Sequence, residues 1–96
     1  MKESCLQSKC IKYCKTHNIL IANVHGGGWG NKGFPDLLMC INGLFVSAEL
    51  KVNGNTLSEA QKIWASRIIT AGGIHFVATN LDEFVCKLQS IMGGSK

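Results

Sequence analysis

The stretch Pro35-Asp36-Leu37-Leu38-Met39-Cys40-Ile41-Asn42-Gly43-Leu44-Phe45-Val46-Ser47-Ala48-Glu49-Leu50-Lys51 decides the fold. Asn42-Gly43 lies between two apolar runs, and Asn-Gly is the strongest short-range signal for a hairpin because a two-residue type I′ turn needs positive φ at both central positions. Pairing Ile41 with Leu44 predicts strands over about 35–41 and 44–51 and counts back to Asp36 opposite Glu49. Directly opposed residues share a face with Cβ atoms roughly 4.5–5.5 Å apart. Two carboxylates would thus stand side by side, an arrangement that is destabilising unless a hard cation with oxygen ligands sits between them. Lys51, two residues beyond Glu49, falls on the same face. Phe45, Ser47, Glu49 and Lys51 form one face of the second strand, read as the polar, half-exposed one, and Leu44, Val46, Ala48 and Leu50 form the other.

Working outward, Ile19 to His25 is an apolar, β-branched run that predicts a strand before the hairpin. A glycine-rich loop between Gly26 and Gly33 joins the two. Upstream, Leu6, Cys10, Ile11, Tyr13 and Cys14 recur at helical spacing with lysines 9, 12 and 15 interleaved, predicting an amphipathic helix from about Glu3 to His17. Downstream, Val52 to Asn55 form a polar loop. Thr56-Leu57-Ser58-Glu59 fits a capping box for a helix that runs through Ala60, Trp64, Ile68 and Ala71 and stops at Gly72-Gly73. Ile74 to Thr79 is a further strand, and Asn80-Leu81-Asp82-Glu83 opens a last helix to about Met92. The order is α-β-β-β-α-β-α. The crossover through the middle helix is long enough to make the strands on either side of it parallel. The expected fold is therefore an α/β mixed sheet of four strands flanked by helices, a single domain over residues 1–96 with a flexible tail at 93–96.

The chain has 96 residues, 46% of them hydrophobic and 17% charged, with ten Lys and Arg against six Asp and Glu for a formal charge of +4. Two of the six acids are the paired carboxylates, so the remaining surface is more basic than the total and suits a polyanionic partner. Five cysteines are an odd number, and neither a signal peptide nor a run of about 18 apolar residues is present. A secreted disulfide scaffold and a membrane protein are both disfavoured, and the cytoplasm, bacterial or of a virus-infected host, is the expected location. Cys5, Cys10 and Cys14 lack the CxxC pairing of a zinc site; Cys10, Cys14, Cys40 and Cys86 are expected in the core as small apolar side chains.

Gly28-Trp29-Gly30-Asn31-Lys32-Gly33 is a formal GxGxxG match. It leads into a strand, and the helix N-terminus that would bind a pyrophosphate is missing. The functional reading is a loop that lets a nucleic-acid backbone approach, against an ordinary flexible connection; Trp29 would stack on a base or sugar or else shield the sheet from solvent, and Lys32 would touch phosphate. His17, His25 and His75 have no metal-ligand spacing and read as structural, with His25 alone near enough to the loop to line a site.

Gly33-x-Pro35-Asp36, then Glu49-x-Lys51, then Gln61 in the following helix resemble the PD-(D/E)xK nuclease superfamily. Within it, the chain is similar to the virus-type replication and repair nuclease (VRR-NUC) domain. The 12 residues between Asp36 and Glu49, the phrase Ala48-Glu49-Leu50-Lys51, and Leu57-Ser58-Glu59-Ala60-Gln61-x-x-Trp64 followed by Gly72-Gly73 carry the likeness, which spans about residues 3–88. The resemblance implies a restriction-endonuclease-like core in which Asp36, Glu49 and the backbone carbonyl of Leu50 bind Mg²⁺, with Mn²⁺ able to substitute. It also implies that Lys51 orients the attacking water or stabilises the phosphorane charge and that Gln61 supports the site. Glu3, on the first helix, would be the acidic residue that often completes such a centre. The implied activity is a metal-dependent DNA endonuclease, homodimeric and acting on branched DNA such as Holliday junctions. The competing expectation is a nucleic-acid-binding module that keeps the fold without cleaving.

Overall fold

The computed structural model describes residues 2–24 and 33–93. Its elements run α1 (Glu3–Thr16), β1 (Leu20–Asn23), β2 (Leu37–Ile41), β3 (Leu44–Leu50), α2 (Glu59–Thr70), β4 (Ile74–Ala78) and α3 (Leu81–Gly93). The strands form one open sheet in the order β1-β2-β3-β4. β1–β2 and β2–β3 are antiparallel, whereas β3–β4, joined by the α2 crossover, is parallel. The mixed α/β fold expected from the sequence is the one observed.

The turn chemistry acts as the sequence suggests. Asn42 and Gly43 adopt φ of 53° and 80°, both in the left-handed region that a type I′ turn requires. Ile41 pairs with Leu44, and the ladder continues to Leu37 opposite Ala48. The other strands add to this ribbon because alternation buries one of its faces completely. Leu37, Met39 and Ile41 of β2, Val46, Ala48 and Leu50 of β3, and Phe76 and Ala78 of β4 make a single apolar surface.

Helices α1 and α3 cover that surface. α1 contributes Leu6, Cys10 and Cys14, one helical turn apart, and α3 contributes Phe84 and Leu88, all without exposure. Lysines 9, 12 and 15 point to solvent. Complete burial of side chains of this size stabilises by roughly 1.5–3 kcal/mol each, so this layer is the main source of cohesion. Asn80 immediately precedes α3, and its Oδ1 accepts from the Glu83 amide (2.9 Å) while Glu83 Oε1 accepts from the Thr79 amide (2.7 Å). The helix continues through Gly93, so the first residue of the expected tail is helical; residues 94–96 lie outside the described ones.

α2 packs on the opposite face, towards β3 and β4, and buries only Ile68 fully. It leaves the β1–β2 half of that face open, with Leu20 72% exposed, Phe45 48% exposed, and Ala22 and Cys40 on the surface. This open half corrects the expectation for the cysteines. Cys10 and Cys14 are core residues, but Cys40 sits on the uncovered face and Cys86 on the outer side of α3. All five are free thiols. Burial pushes Cys10 up to about 12, with Cys14 adding to it, and Cys14 up to about 11, so both are inert apolar fillers at neutral pH.

α2 also begins later than predicted. The N-cap is Ser58 rather than Thr56, and Gln61 takes the place expected for Glu59. Ser58-Glu59-Ala60-Gln61 satisfies the same Ser/Thr-x-x-Glu/Gln rule two residues on.

Candidate active site

The site lies at the end of the sheet where β2 begins and β3 ends. Asp36 precedes the last paired residue of β2, and the observed register places it one step beyond Leu37–Ala48, beside Glu49. Its Oδ2 accepts a hydrogen bond from the Leu50 amide at 3.0 Å. That bond clamps the head of β2 to the tail of β3 and fixes the Asp36 carboxylate against the main chain of Leu50. Gly33 and Pro35 set the approach. Gly33 has φ of 84°, and a Cβ there would lie 2.4 Å from the Ala60 carbonyl carbon, so only glycine lets the chain pass this close to α2.

Glu49 departs from expectation. Its strand face was predicted half-exposed, yet Glu49 and Ser47 are both 0% exposed. The reason is position: β3 is a central strand with helices on both sides, and α2 covers this end of the face. A wholly buried carboxylate needs partners, and Glu49 has only part of a set. Oε1 accepts from Gln61 Nε2 at 3.4 Å, while Oε2 is buried with no hydrogen-bond partner. Burial, followed by the neighbouring Asp36 carboxylate and a side-chain hydrogen bond that protonated Glu49 shares with it, pushes the Glu49 carboxyl up to about 8; Lys51 opposes the rise and Glu3 adds to it. Without a further cation, Glu49 therefore holds its proton well into the neutral range.

Gln61 is positioned by the cap itself. Its Oε1 accepts from the Ser58 amide at 2.9 Å, and its own amide donates to Ser58 Oγ at 3.2 Å. With the carbonyl end committed to the helix start, the amide nitrogen is left to face Glu49. One side chain thus satisfies an orphan helix amide and orients a carboxylate, and the sequence signal for it was the second capping-box match at Ser58. Lys51 lies just past β3, anchored by its amide donating to the Ala78 carbonyl at 3.0 Å. Its ammonium is close enough to act on Glu49.

Glu3, at the start of α1, shares a small cavity of about 80 Å³ with Ser4, Gln7, Asp36 and Leu50. Asp36, Glu49, Lys51, Gln61 and, at the margin, Glu3 and the main chain of Leu50 therefore come together as the sequence reading requires. Among the described residues, however, no three His, Cys, Asp or Glu side chains converge into a metal-binding group. The donor set that exists is the Asp36–Glu49 pair. Its orphaned Oε2 and raised proton affinity are what a hard cation would relieve, so the residues present fit a divalent ion with oxygen ligands. Trp29, Lys32 and His25 lie outside the described residues.

The sequence reading missed a part-buried pair near Glu49. Ser47 Oγ lies 2.7 Å from His75 Nδ1 across the parallel β3–β4 pairing, and 3.3 Å from the Ile74 carbonyl. His75 Nε2 is buried without a partner, and burial lowers the His75 pKa, so the imidazole is neutral near pH 7. Ser47 and His75 are 28 positions apart, and only the parallel register joins them. The remaining described histidine, His17, is structural: it stacks on Tyr13 at 4.0 Å, with Nδ1 2.9 Å from the Tyr13 carbonyl.

No helix among the described residues is long and apolar enough to cross a membrane. Neither a protein-family model, nor a curated protein, nor a solved structure matches the chain.

Proposed function

We propose that the chain is a metal-dependent DNA endonuclease that hydrolyses phosphodiester bonds and prefers branched DNA such as Holliday junctions. The observation that carries this reading is Glu49: a fully buried carboxyl with an unpartnered oxygen, next to Asp36 and within the field of Lys51. In the ionised form that oxygen faces no donor, and an unpaired buried polar atom costs about 1–3 kcal/mol.

Asp36, Glu49 and the Leu50 carbonyl would hold Mg²⁺, or Mn²⁺ in its place. The bound ion supplies charge neutralisation at the phosphoryl oxygens and acidifies water. Lys51 contributes a compact ammonium that orients the attacking water or offsets the charge developing on the phosphorus oxygens. Gln61, fixed by its cap, holds Glu49 in one orientation. Asp36 ties that constellation to the β2–β3 ribbon, so the two carboxylates keep their spacing as substrate arrives. The basic balance of the chain supports an electrostatic footprint for DNA. The preference for branches and a homodimeric state rest on the family resemblance, since two sites in one dimer suit paired nicks on a junction.

The test is to incubate the protein with labelled four-way junction, flap and linear duplex DNA in Mg²⁺, Mn²⁺ or EDTA. Cleavage that needs a divalent cation and disappears in Asp36→Ala supports the reading, and cleavage persisting in EDTA overturns it. Salt-sensitive binding with no cleavage under any metal assigns the chain instead to a non-cleaving nucleic-acid-binding module. A monomeric mass by light scattering at assay concentration removes the dimer.

A further inference from the structure

A groove runs along α2 on the side facing the open half of the sheet. It holds about 410 Å³ and is lined by Phe45, Trp64, Arg67, Ile68, Ala71 and Gly73. That volume is within the range of small-ligand sites, and the site already described does not use it.

Three features give it a chemical character. First, it presents two aromatic rings. Trp64 is held edge-on by Phe34, with ring centroids 4.9 Å apart, and Phe45 presents a half-exposed ring from the start of β3. Second, its cation has no ion-pair partner among the described residues. Arg67 is the only arginine in the chain, and its guanidinium carbon stands 4.7 Å from the Trp64 ring centroid. The one ion pair among the described residues joins Lys62 to Glu59 instead. No acidic residue lines the groove, so a flat apolar surface ends in a single positive charge. Third, its floor is kept low by glycine: a Cβ on Gly73 would lie 2.9 Å from Ile68 and 3.1 Å from the Phe45 carbonyl.

A planar ring carrying an anionic group is the complement of such a surface. Resting on the reading of the chain as a DNA-acting protein, we propose that this groove takes one unpaired nucleotide of the bound DNA, its base on the half-exposed ring of Phe45 and its phosphate on Arg67, which Trp64 holds in place. Aromatic platforms bind any base through its π-face, but only when that face is free, as it is at a gap, bulge or single-stranded flap and not inside a duplex or a fully paired junction arm. A guanidinium already stacked on an aromatic ring keeps its donors in a plane suited to phosphate oxygens. The placement joins the groove to the carboxylate pair: Arg67 is six residues beyond Gln61 on the same helix, a separation of about 9 Å along the axis. A strand that reaches both would carry an unpaired base, which gives a physical basis for choosing DNA with unpaired bases over fully paired DNA.

The experiment measures binding in EDTA, where no metal-dependent step contributes. Fluorescence anisotropy compares a fully paired duplex with the same duplex carrying a two-nucleotide gap, for the full chain and for Phe45→Leu and Arg67→Gln. Both substitutions are at exposed positions, so the variants retain the fold, and circular dichroism verifies it. The expected result is a preference of about tenfold or more for gapped DNA, falling towards unity in Phe45→Leu, with the salt slope in Arg67→Gln reduced by about one. Equal affinity for the two DNAs, or a preference that survives Phe45→Leu, overturns the proposal. So does a dimer that Phe45→Leu dissociates with no gap preference in the parent, because the groove then belongs to a second copy of the chain. Gap preference without cleavage in Mg²⁺ removes the endonuclease reading and keeps the groove assignment, whereas cleavage without gap preference does the reverse.

Discussion

Replacing Glu49 by glutamine keeps the side-chain shape and an oxygen for Gln61 while removing the group that titrates. In the folded chain that carboxyl is held at about 8, against about 4.5 ordinarily. As pH rises from 4.5, the unfolded chain gives up the proton first, so metal-free stability falls through the window from about 4.5 to 8. At about 1.4 kcal/mol per pH unit, the ceiling on this loss is about 5 kcal/mol. Half of that is enough to lower Tm by roughly 10 °C in a domain of this size. His75 acts in the opposite sense but lower, because a lowered imidazole pKa costs stability only as pH falls below about 6.5. Cys10 and Cys14 titrate only in the alkaline range. Between pH 6.5 and 8 the difference between the native chain and Glu49→Gln therefore isolates Glu49. Thermal unfolding in EDTA should show native Tm dropping across this range while the variant stays level and becomes the more stable of the two at pH 8. Added Mg²⁺ should raise the native Tm more at pH 8 than at pH 6.5 and leave the variant unchanged. Parallel pH profiles for the two proteins would refute the reasoning about this carboxyl.

Other outcomes follow from single contacts. Gly33→Ala forces a Cβ into the Ala60 backbone at a positive φ and should cost more than about 2 kcal/mol by denaturant titration. Ser58→Ala removes the acceptor of the Gln61 backbone amide and should cost about 1 kcal/mol by denaturant titration; the Ser58 amide that holds Gln61 Oε1 is kept, so cleavage should persist. Ser47→Ala strips His75 Nδ1 of its close partner and should lower stability at neutral pH by about 1–3 kcal/mol in equilibrium unfolding. Phe84→Ala opens the α3 layer of the core and should cost about 3–5 kcal/mol in the same assay, with no selective effect on substrate choice.

The parts of this fold that could be read in advance are those fixed by local chemistry. Asn42-Gly43 dictated the turn, the turn dictated the register, and the register brought Asp36 to Glu49. The stripe Leu6, Cys10, Cys14 marked α1 for the same reason, a period that leaves one face to bury. What could not be read depended on which element covers which face. Alternation correctly put Ser47 and Glu49 on one side of β3, but only the central place of that strand and the position of α2 make the side dry. The same alternation gave Cys40 no sign that the sheet beneath it lies open. Thr56 and Ser58 offered two caps of equal local merit, and the start of α2 followed the one that puts Gln61 against Glu49. His75 carried no local signal, since its partner comes through parallel pairing across a whole crossover.

The central claim is that Asp36, Glu49 and Lys51 form a phosphodiesterase centre, and Lys51 tests it most directly because it is neither a carboxylate nor a core residue. The measurement is single-turnover cleavage of a four-way junction at saturating Mg²⁺ by the native chain and by Lys51→Ala, with binding followed in parallel. The account predicts metal-dependent cleavage by the native chain, slowed at least about 100-fold in the variant, while the junction is still bound. Equal cleavage by both, or none by the native chain with any divalent metal, would contradict it.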